Sequence, residues 1–145
     1  MDHFGMAIDQ IPVFSVLRGT MRLLTARQKV LAENIANADT PGFTPKDVDE
    51  KSFHKMLNAA QNSRNSRGKM MVTDSRHFSG PGETGGYQIK LKETPGRETT
   101  MNGNSVVLEE QVSELAATRA RYDAAIGLYQ KSLGLIRMAI KAPGR

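Results

Sequence analysis

The sequence has no cysteine and no tryptophan, and aromatic residues make up only 6% of its 145 residues. Without cysteine the chain has no disulfide, no thiolate metal site and no cysteine nucleophile. So few aromatic side chains leave a lean core for a domain of this length. No apolar run approaches the roughly 18 residues that a membrane-spanning helix requires. These absences exclude disulfide scaffolds and helical membrane-spanning proteins.

A strong excess of one charge is also missing. Lys and Arg number 20 against 15 Asp and Glu, which gives a formal net charge of +5. That balance is too weak to require a nucleic-acid partner. The first residues lack the basic and apolar regions of a secretory signal peptide. We therefore expect the chain to stay in the cytosol unless another route exports it.

Motifs for catalysis or cofactor binding are absent as well. A literal G-x-G-x-x-G occurs at 80–85, but Pro81 removes a backbone donor and no strand-to-helix unit surrounds the motif. The histidines at 3, 54 and 77 are too scattered for a metal site. Asp47, Asp49 and Glu50 are flanked by lysines, so we interpret them as a solvated charged turn. The sequence predicts no enzyme activity, no catalytic residue, no cofactor and no metal ligand.

Two long stretches carry a helical pattern. Residues 13–37 and 105–141 repeat apolar side chains at alternating spacings of four and three, as a coiled-coil seam does. Pro12 suits the first turn of the earlier helix, and Pro41 makes that helix stop near Asn37. We predict a mainly α fold in which the two helices pack as a coiled-coil-like antiparallel pair. The predicted assembly seam consists of Leu17, Met21, Leu24, Leu31, Ile35, Leu108, Val112, Leu115, Tyr122, Ile126, Tyr129, Leu133, Ile136 and Ile140.

The second helix is apolar on more than one face. Leu128, Leu135 and Met138 lie outside its seam, and a helix that is apolar nearly all round is expected to be surrounded. We therefore expect the isolated monomer to gain stability by assembly. Beside the seam, small residues repeat every seven positions, which indicates either close packing of another helix or glycines tolerated on a solvated face. This close-packing row consists of Ser113, Ala120, Gly127 and Gly134.

The segment between the helices is rich in loops. Only eight of the 44 residues at 61–104 are apolar, so this stretch cannot bury much surface alone. We predict a short helix at residues 46–60. At residues 87–92 apolar and polar side chains alternate, as in a half-buried strand, and a weaker strand pattern lies at 70–73. A small β-hairpin can therefore form here. The predicted segments are a helical N-terminal segment at 1–43, a loop-rich middle at 44–104 and a long C-terminal helix at 105–145.

One segment is specific to a family. The sequence N-I-A-N-A-D-T-P-G-F at 34–43 resembles the signature of the bacterial flagellar rod and hook proteins. Residues 102–110, N-G-N-S-V-V-L-E-E, resemble the start of the closing helix of the same family. The chain is most similar to the short proteins of the proximal rod, of which two sister proteins share these elements. The signature residues are Asn34, Ile35, Asn37, Asp39, Thr40, Pro41, Gly42 and Phe43.

This resemblance implies a structural subunit of the flagellar basal body. Such a subunit builds the proximal rod, a helically assembled hollow shaft that joins the membrane ring to the distal rod and hook and is needed for motility. The implied partners are other copies, neighbouring rod proteins, the junction protein and membrane ring, and the flagellar type III export apparatus. No nucleic acid and no small-molecule substrate is implied. The implied location is the periplasmic rod, reached without a cleaved signal peptide.

The signature also has a local physical interpretation. Asn34 and Asn37 fall in the last helical turn, where their amides can satisfy free carbonyls or cap the helix. If Gly42 has a positive φ, we expect Gly42→Val to distort the exit of the chain.

Other classes of protein stay open at this point. A basic helical protein that binds nucleic acid is disfavoured by the dispersed charge. A membrane-surface protein is disfavoured by the acidic start of the second helix. A flagellum-associated enzyme that cuts peptidoglycan would require paired carboxylates in a cleft, and the sequence indicates none.

Overall fold

The computed structural model describes residues 11–65, 88–94 and 104–141 of the chain. The predicted strand at 70–73 and the glycine motif at 80–85 lie outside the described residues. Long terminal helices dominate, as the sequence predicted, and a small sheet holds two strands. The elements are α1 (Pro12–Ala36), β1 (Lys46–Val48), α2 (Glu50–Asn65), β2 (Leu91–Glu93) and α3 (Asn104–Lys141).

Helix α1 begins and ends as its sequence predicts. Pro12 stands in the first turn, where its missing N–H leaves no helical hydrogen bond unmade. At the other end the backbone N–H of Asn37 donates to the Glu33 carbonyl over 3.0 Å. The side-chain amide of Asn37 donates to the same oxygen over 2.9 Å. The predicted end near Asn37 is confirmed, and so is the predicted use of this amide on a terminal carbonyl.

Helices α1 and α3 lie antiparallel along each other. Near the start of α1 the ring of Phe14 meets Tyr129 edge to face, with ring centroids 5.3 Å apart. Near the end of α1 the amide of Asn34 bonds to Gln111. Early residues of α1 therefore lie beside late residues of α3, and late residues of α1 lie beside early ones, which confirms the predicted antiparallel pair.

Helix α2 and strand β1 cover a second side of α1. A β-carbon on Gly19 would lie 3.3 Å from Leu57 Cδ1 and 3.4 Å from Phe53 Cζ, so a residue without a side chain lets α2 approach closely. The middle segment thus contributes to the core through its first residues. The core cluster consists of Leu23, Val30, Val48, Phe53 and Leu57.

The helix predicted at 46–60 begins later than expected. Strand β1 takes its first three residues, and α2 starts at Glu50. Asp49 Oδ1 accepts the N–H of Ser52 over 3.1 Å, and the Asp49 carbonyl accepts the N–H of Phe53 over 3.1 Å. Asp49 is therefore the N-cap that determines where the helix starts.

The strand predicted at 87–92 is also shifted. Strand β2 pairs antiparallel with β1, with Asp47 opposite Lys92. All three residues of β2 are exposed rather than alternately buried. Ile89, just before the strand, packs against the core instead. The two strands are separated by α2 along the chain, so their pairing is not that of a tight hairpin.

Candidate functional site

A polar cluster joins all three helices through Arg27. Its Nε donates to Asp47 Oδ1 over 3.1 Å and its Nη2 to Asp47 Oδ2 over 3.2 Å, a bidentate contact with β1. Nη2 also donates to Glu114 Oε2 over 2.8 Å, and Nη1 donates to Thr118 Oγ1 over 3.3 Å. Glu50 Oε1 of α2 lies 3.9 Å from Nη1. We call these five residues the Arg27 cluster.

Neighbouring carboxylates keep Arg27 charged. Its side chain is only 13% exposed, and this burial alone would lower its pKa. The hydrogen bond and charge of Asp47, with the charges of Glu114 and Glu50, outweigh burial, so the pKa of Arg27 is raised. The guanidinium therefore stays protonated throughout the accessible pH range.

Asn34, the first asparagine of the signature, is buried and connects three elements. Its Nδ2 donates to the Lys46 carbonyl over 2.7 Å and to Gln111 Oε1 over 2.9 Å. Its Oδ1 accepts the N–H of Lys46 over 3.1 Å. The side-chain amide thus pairs with the backbone of β1 as a neighbouring strand would. The prediction that this amide satisfies its own helix end is wrong, because α1 directs it toward β1 and α3.

The turn after α1 has the geometry that its proline and glycine favour. The N–H of Phe43 donates to the Thr40 carbonyl over 3.2 Å, and Gly42 has a φ of +76°. With Pro41 second and glycine third, this is the pattern of a type II turn. Gly42 therefore meets the condition under which Gly42→Val is expected to distort the exit of the chain. Asp39, Thr40, Pro41 and Gly42 are exposed, whereas Ile35, Asn37 and Phe43 are half-buried.

The acidic residues after the signature form ion pairs and a cap, which corrects their interpretation as a solvated turn. Asp47 binds Arg27, and Glu50 Oε1 accepts a bond from Arg121 Nη1 over 3.0 Å. The cations lie 20 and 71 positions away along the chain. No local charge pattern could therefore have revealed these pairs.

The α1 part of the predicted seam is covered within the monomer. Leu17, Leu24 and Leu31 are 8%, 1% and 2% exposed. Met21 and Ile35 are half-buried. These side chains stabilise the subunit itself, and any role in assembly stays a prediction.

The α3 part of the seam lies differently. Among the α3 side chains that the structure describes, at 108–141, the buried ones are Gln111, Thr118 and Ala125, which recur every seven positions. Leu108 and Val112 are 37% and 49% exposed. Helix α3 is thus rotated so that its most buried side chains are polar or small rather than the predicted apolar ones. Ile140 is exposed, and the other predicted seam residues of α3 are half-buried, namely Leu115, Tyr122, Ile126, Tyr129, Leu133 and Ile136.

A further apolar surface of α3, which we call the outer face, has no cover among the described residues. Leu128, Leu135 and Met138 on this face are 51%, 58% and 69% exposed. A β-carbon on Gly127 or Gly134 would meet no atom within 4 Å. The contact with α1 therefore does not require these glycines, and close packing of another helix stays a prediction. Within the row of small residues, Ser113, Ala120 and Gly127 are exposed and Gly134 is half-buried.

Two shallow grooves flank the helix pair. One, of about 430 Å³, lies over the Arg27 cluster. The other, of about 470 Å³, combines cationic and apolar side chains, and we call it the basic groove. In the part of the chain that the structure describes, no cluster of three or more histidine and acidic side chains could hold a metal ion. Within the same residues, no helix is long and apolar enough to cross a bilayer. The basic groove is lined by Arg18, Met21, Arg22, Thr25, Ala26, Lys29 and Tyr122.

Comparison with known proteins identifies the family. Residues 14–44 match the family described as flagella basal body rod protein, and this match covers α1 from its third residue onward and the signature turn. The flagellar basal body rod protein FlgB of Proteus mirabilis is 33% identical, over 77% of this chain and 80% of that protein. FlgB of Bacillus subtilis is 32% identical, over 69% and 70% of the two chains. FlgB of Aeromonas hydrophila is 26% identical over 94% of this chain and 98% of its own length. The resemblance found in the sequence is confirmed, and the chain belongs to the flagellar basal body rod protein family, in which its relatives are FlgB proteins.

Proposed function

We propose that this chain builds the proximal part of the flagellar basal body rod. Its family is one of structural subunits of that rod. There it would form a hollow shaft between the membrane ring and the distal rod. The nucleic-acid and membrane-surface alternatives are not favoured, because the family is a structural one.

The observation that carries this proposal is the uncovered outer face of α3. Three large apolar side chains on that face are more than half exposed. Burying a half-exposed leucine contributes about 1 kcal/mol, and contiguous exposed apolar side chains mark interaction sites. In the rod, helices of neighbouring subunits would cover this face and the row of small residues beside it.

We also propose the partners of this subunit and the route by which it is exported. The partners are other copies, neighbouring rod proteins, the junction protein and membrane ring at the rod base, and the flagellar type III export apparatus. The chain would reach the periplasmic rod through that apparatus without a cleaved signal peptide. The absence of cysteine supports this route, because no disulfide has to be reduced before an unfolded chain passes a narrow channel.

Deletion of the gene tests the structural role. We expect isolated basal bodies that retain the membrane ring but lack the rod in electron micrographs, and cells that do not swim. Reintroducing the gene should restore both. Intact rods and normal swimming in the deletion strain would contradict the proposal.

A point variant tests the outer face itself. Leu135→Glu should leave the monomer folded, because this side chain is 58% exposed, and should abolish rod assembly by placing a charge in the contact. Gln130→Glu, an exposed position on the same helix, is the matched control and should swim normally. Circular dichroism checks folding, and electron microscopy checks rods. Normal rods with Leu135→Glu would contradict the proposal that neighbouring subunits cover the outer face.

A further inference from the structure

The basic groove on α1 presents cations beside apolar side chains. Arg22 and Lys29 are exposed, and neither makes an ion pair with another residue that the structure describes. Met21 and Tyr122 provide apolar surface between α1 and α3. Such a groove fits an occupant that is itself apolar and acidic.

The start of α3 has that complementary chemistry. Residues 104–118 contain three glutamates and no lysine or arginine. Glu109 is exposed and has no ion pair within the described part of the chain. Leu108 and Val112, one and three positions away, are 37% and 49% exposed. An acid and two uncovered apolar side chains therefore share the first turns of α3.

We propose that the basic groove of one copy receives the start of α3 from a second copy. Glu109 then meets Arg22 and Lys29, while Leu108 and Val112 pack on the apolar lining. A chain cannot make this contact with itself, because Glu109 and Tyr122 of the groove are 13 positions apart on one helix, about 20 Å. The inference rests on the proposed function, since it states how neighbouring copies meet in the rod.

The geometry has a consequence for assembly. The two patches are different and are separated along the helix axis, so two copies that lie parallel in the rod are displaced along that axis. Each copy in such a pair retains one unused patch, and a contact between unlike patches can repeat from copy to copy. A second copy is favoured over another partner because this chain carries both complementary patches.

Disulfide cross-linking in assembled rods tests the contact. The chain has no cysteine, so introduced thiols react without background. A chain with both Arg22→Cys and Glu109→Cys is expressed in the deletion strain, and its basal bodies are isolated and oxidised. We expect cross-linked dimers and larger species, because Tyr122, which lines the groove together with Arg22, lies about 20 Å from Glu109 along α3, too far for a bond within one chain. Each single-cysteine chain, and the matched pair Asn58→Cys with Glu109→Cys, should give monomers.

Cross-linking no stronger than in the controls would overturn the proposal, and so would a cross-link to a different protein. Where the double variant does not build rods, sedimentation of the purified full-length chain decides. Arg22→Glu and Glu109→Arg should each weaken self-association about fivefold at low salt, and mixing the two variants should restore it. Association that is unchanged by Arg22→Glu would also overturn it. Normal rods in the deletion strain would instead contradict the proposed function. Failure of the proposed contact and failure of the proposed function are therefore distinguishable.

Discussion

Helices α1 and α3 carry the same kind of apolar repeat and are covered very differently. Helix α1 packs against α3, β1 and α2, and its Leu23 and Leu24 are 0% and 1% exposed. Helix α3 lies against α1, and its Leu128 and Leu135 are more than half exposed. An apolar repeat therefore predicts which side chains require cover, but not whether the cover comes from the same chain.

Length explains much of this difference. Helix α3 has 38 residues and α1 has 25. Phe14, which contacts Tyr129, is two residues from the start of α1, whereas α3 continues for twelve residues beyond Tyr129. The last three turns of α3 thus have no partner helix among the described residues. Several of the most exposed apolar side chains lie there.

The largest expected effect compares the same substitution in the two helices. Leu23→Ala should lower the free energy of unfolding by about 2–5 kcal/mol, because it opens a cavity in the core. Leu128→Ala should lower it by about 1 kcal/mol or less, because half of that side chain already meets solvent. Urea unfolding of the two variants, followed by circular dichroism, measures both. Equal losses would mean that α3 is covered in the monomer after all.

The next effect concerns the Arg27 cluster, which connects the three helices. Arg27→Met should lower the free energy of unfolding by about 2–3 kcal/mol, because Asp47 and Glu114 lose their buried counter-charge. Arg22→Met on the exposed side of α1 is the control and should cost less than about 0.5 kcal/mol. The same urea titration applies. An unchanged midpoint for Arg27→Met would show that the cluster contributes specificity rather than stability.

A smaller effect is expected at the last turns of α1. Asn34→Ala should cost about 1–2 kcal/mol, since it leaves the Lys46 backbone and the Gln111 amide without a partner. Asn37→Ala removes two exposed bonds, one to the Glu33 carbonyl and a longer one from Thr40 Oγ1, and should cost about 0.5 kcal/mol. Thermal unfolding ranks the two variants. The reverse ranking would argue that the cap matters more than the link to β1.

The smallest effect belongs to the signature turn. Gly42→Val should cost about 1 kcal/mol, because a branched side chain disfavours a positive φ. A β-carbon there would meet no atom within 4 Å, so the cost is conformational and not steric. Gly42→Asn should therefore cost less, since asparagine tolerates this conformation. A loss of stability by Gly42→Asn as large as that of valine would contradict this explanation.

Features that depend on neighbours in the sequence were predictable. The spans of α1 and α3 follow from periodicity, since 3.6 residues per turn place every third or fourth side chain on one face. The end of α1 follows from Pro41, because the residue before a proline disfavours the α region. The antiparallel pairing followed because two long apolar stripes require each other for cover.

Features that depend on distant residues were not predictable. Lys46–Val48 form a strand because Leu91–Glu93 and the Asn34 amide supply hydrogen-bond partners. Arg27 meets a carboxylate 20 positions away and another 87 positions away. These contacts bring α3 into a register that buries Gln111, Thr118 and Ala125 and turns Val112 outward.

The amino-acid order alone was enough to establish two long helices, their stop signals, the absence of cysteine chemistry and the family signature. Each of these is encoded within a few neighbouring residues or a single repeat. Among the described residues, the tertiary contacts decided which face of α3 is buried and which stays uncovered. That choice rests on bonds from Arg27 and Asn34 across the fold, because an apolar stripe can be covered equally well by its own chain or by another.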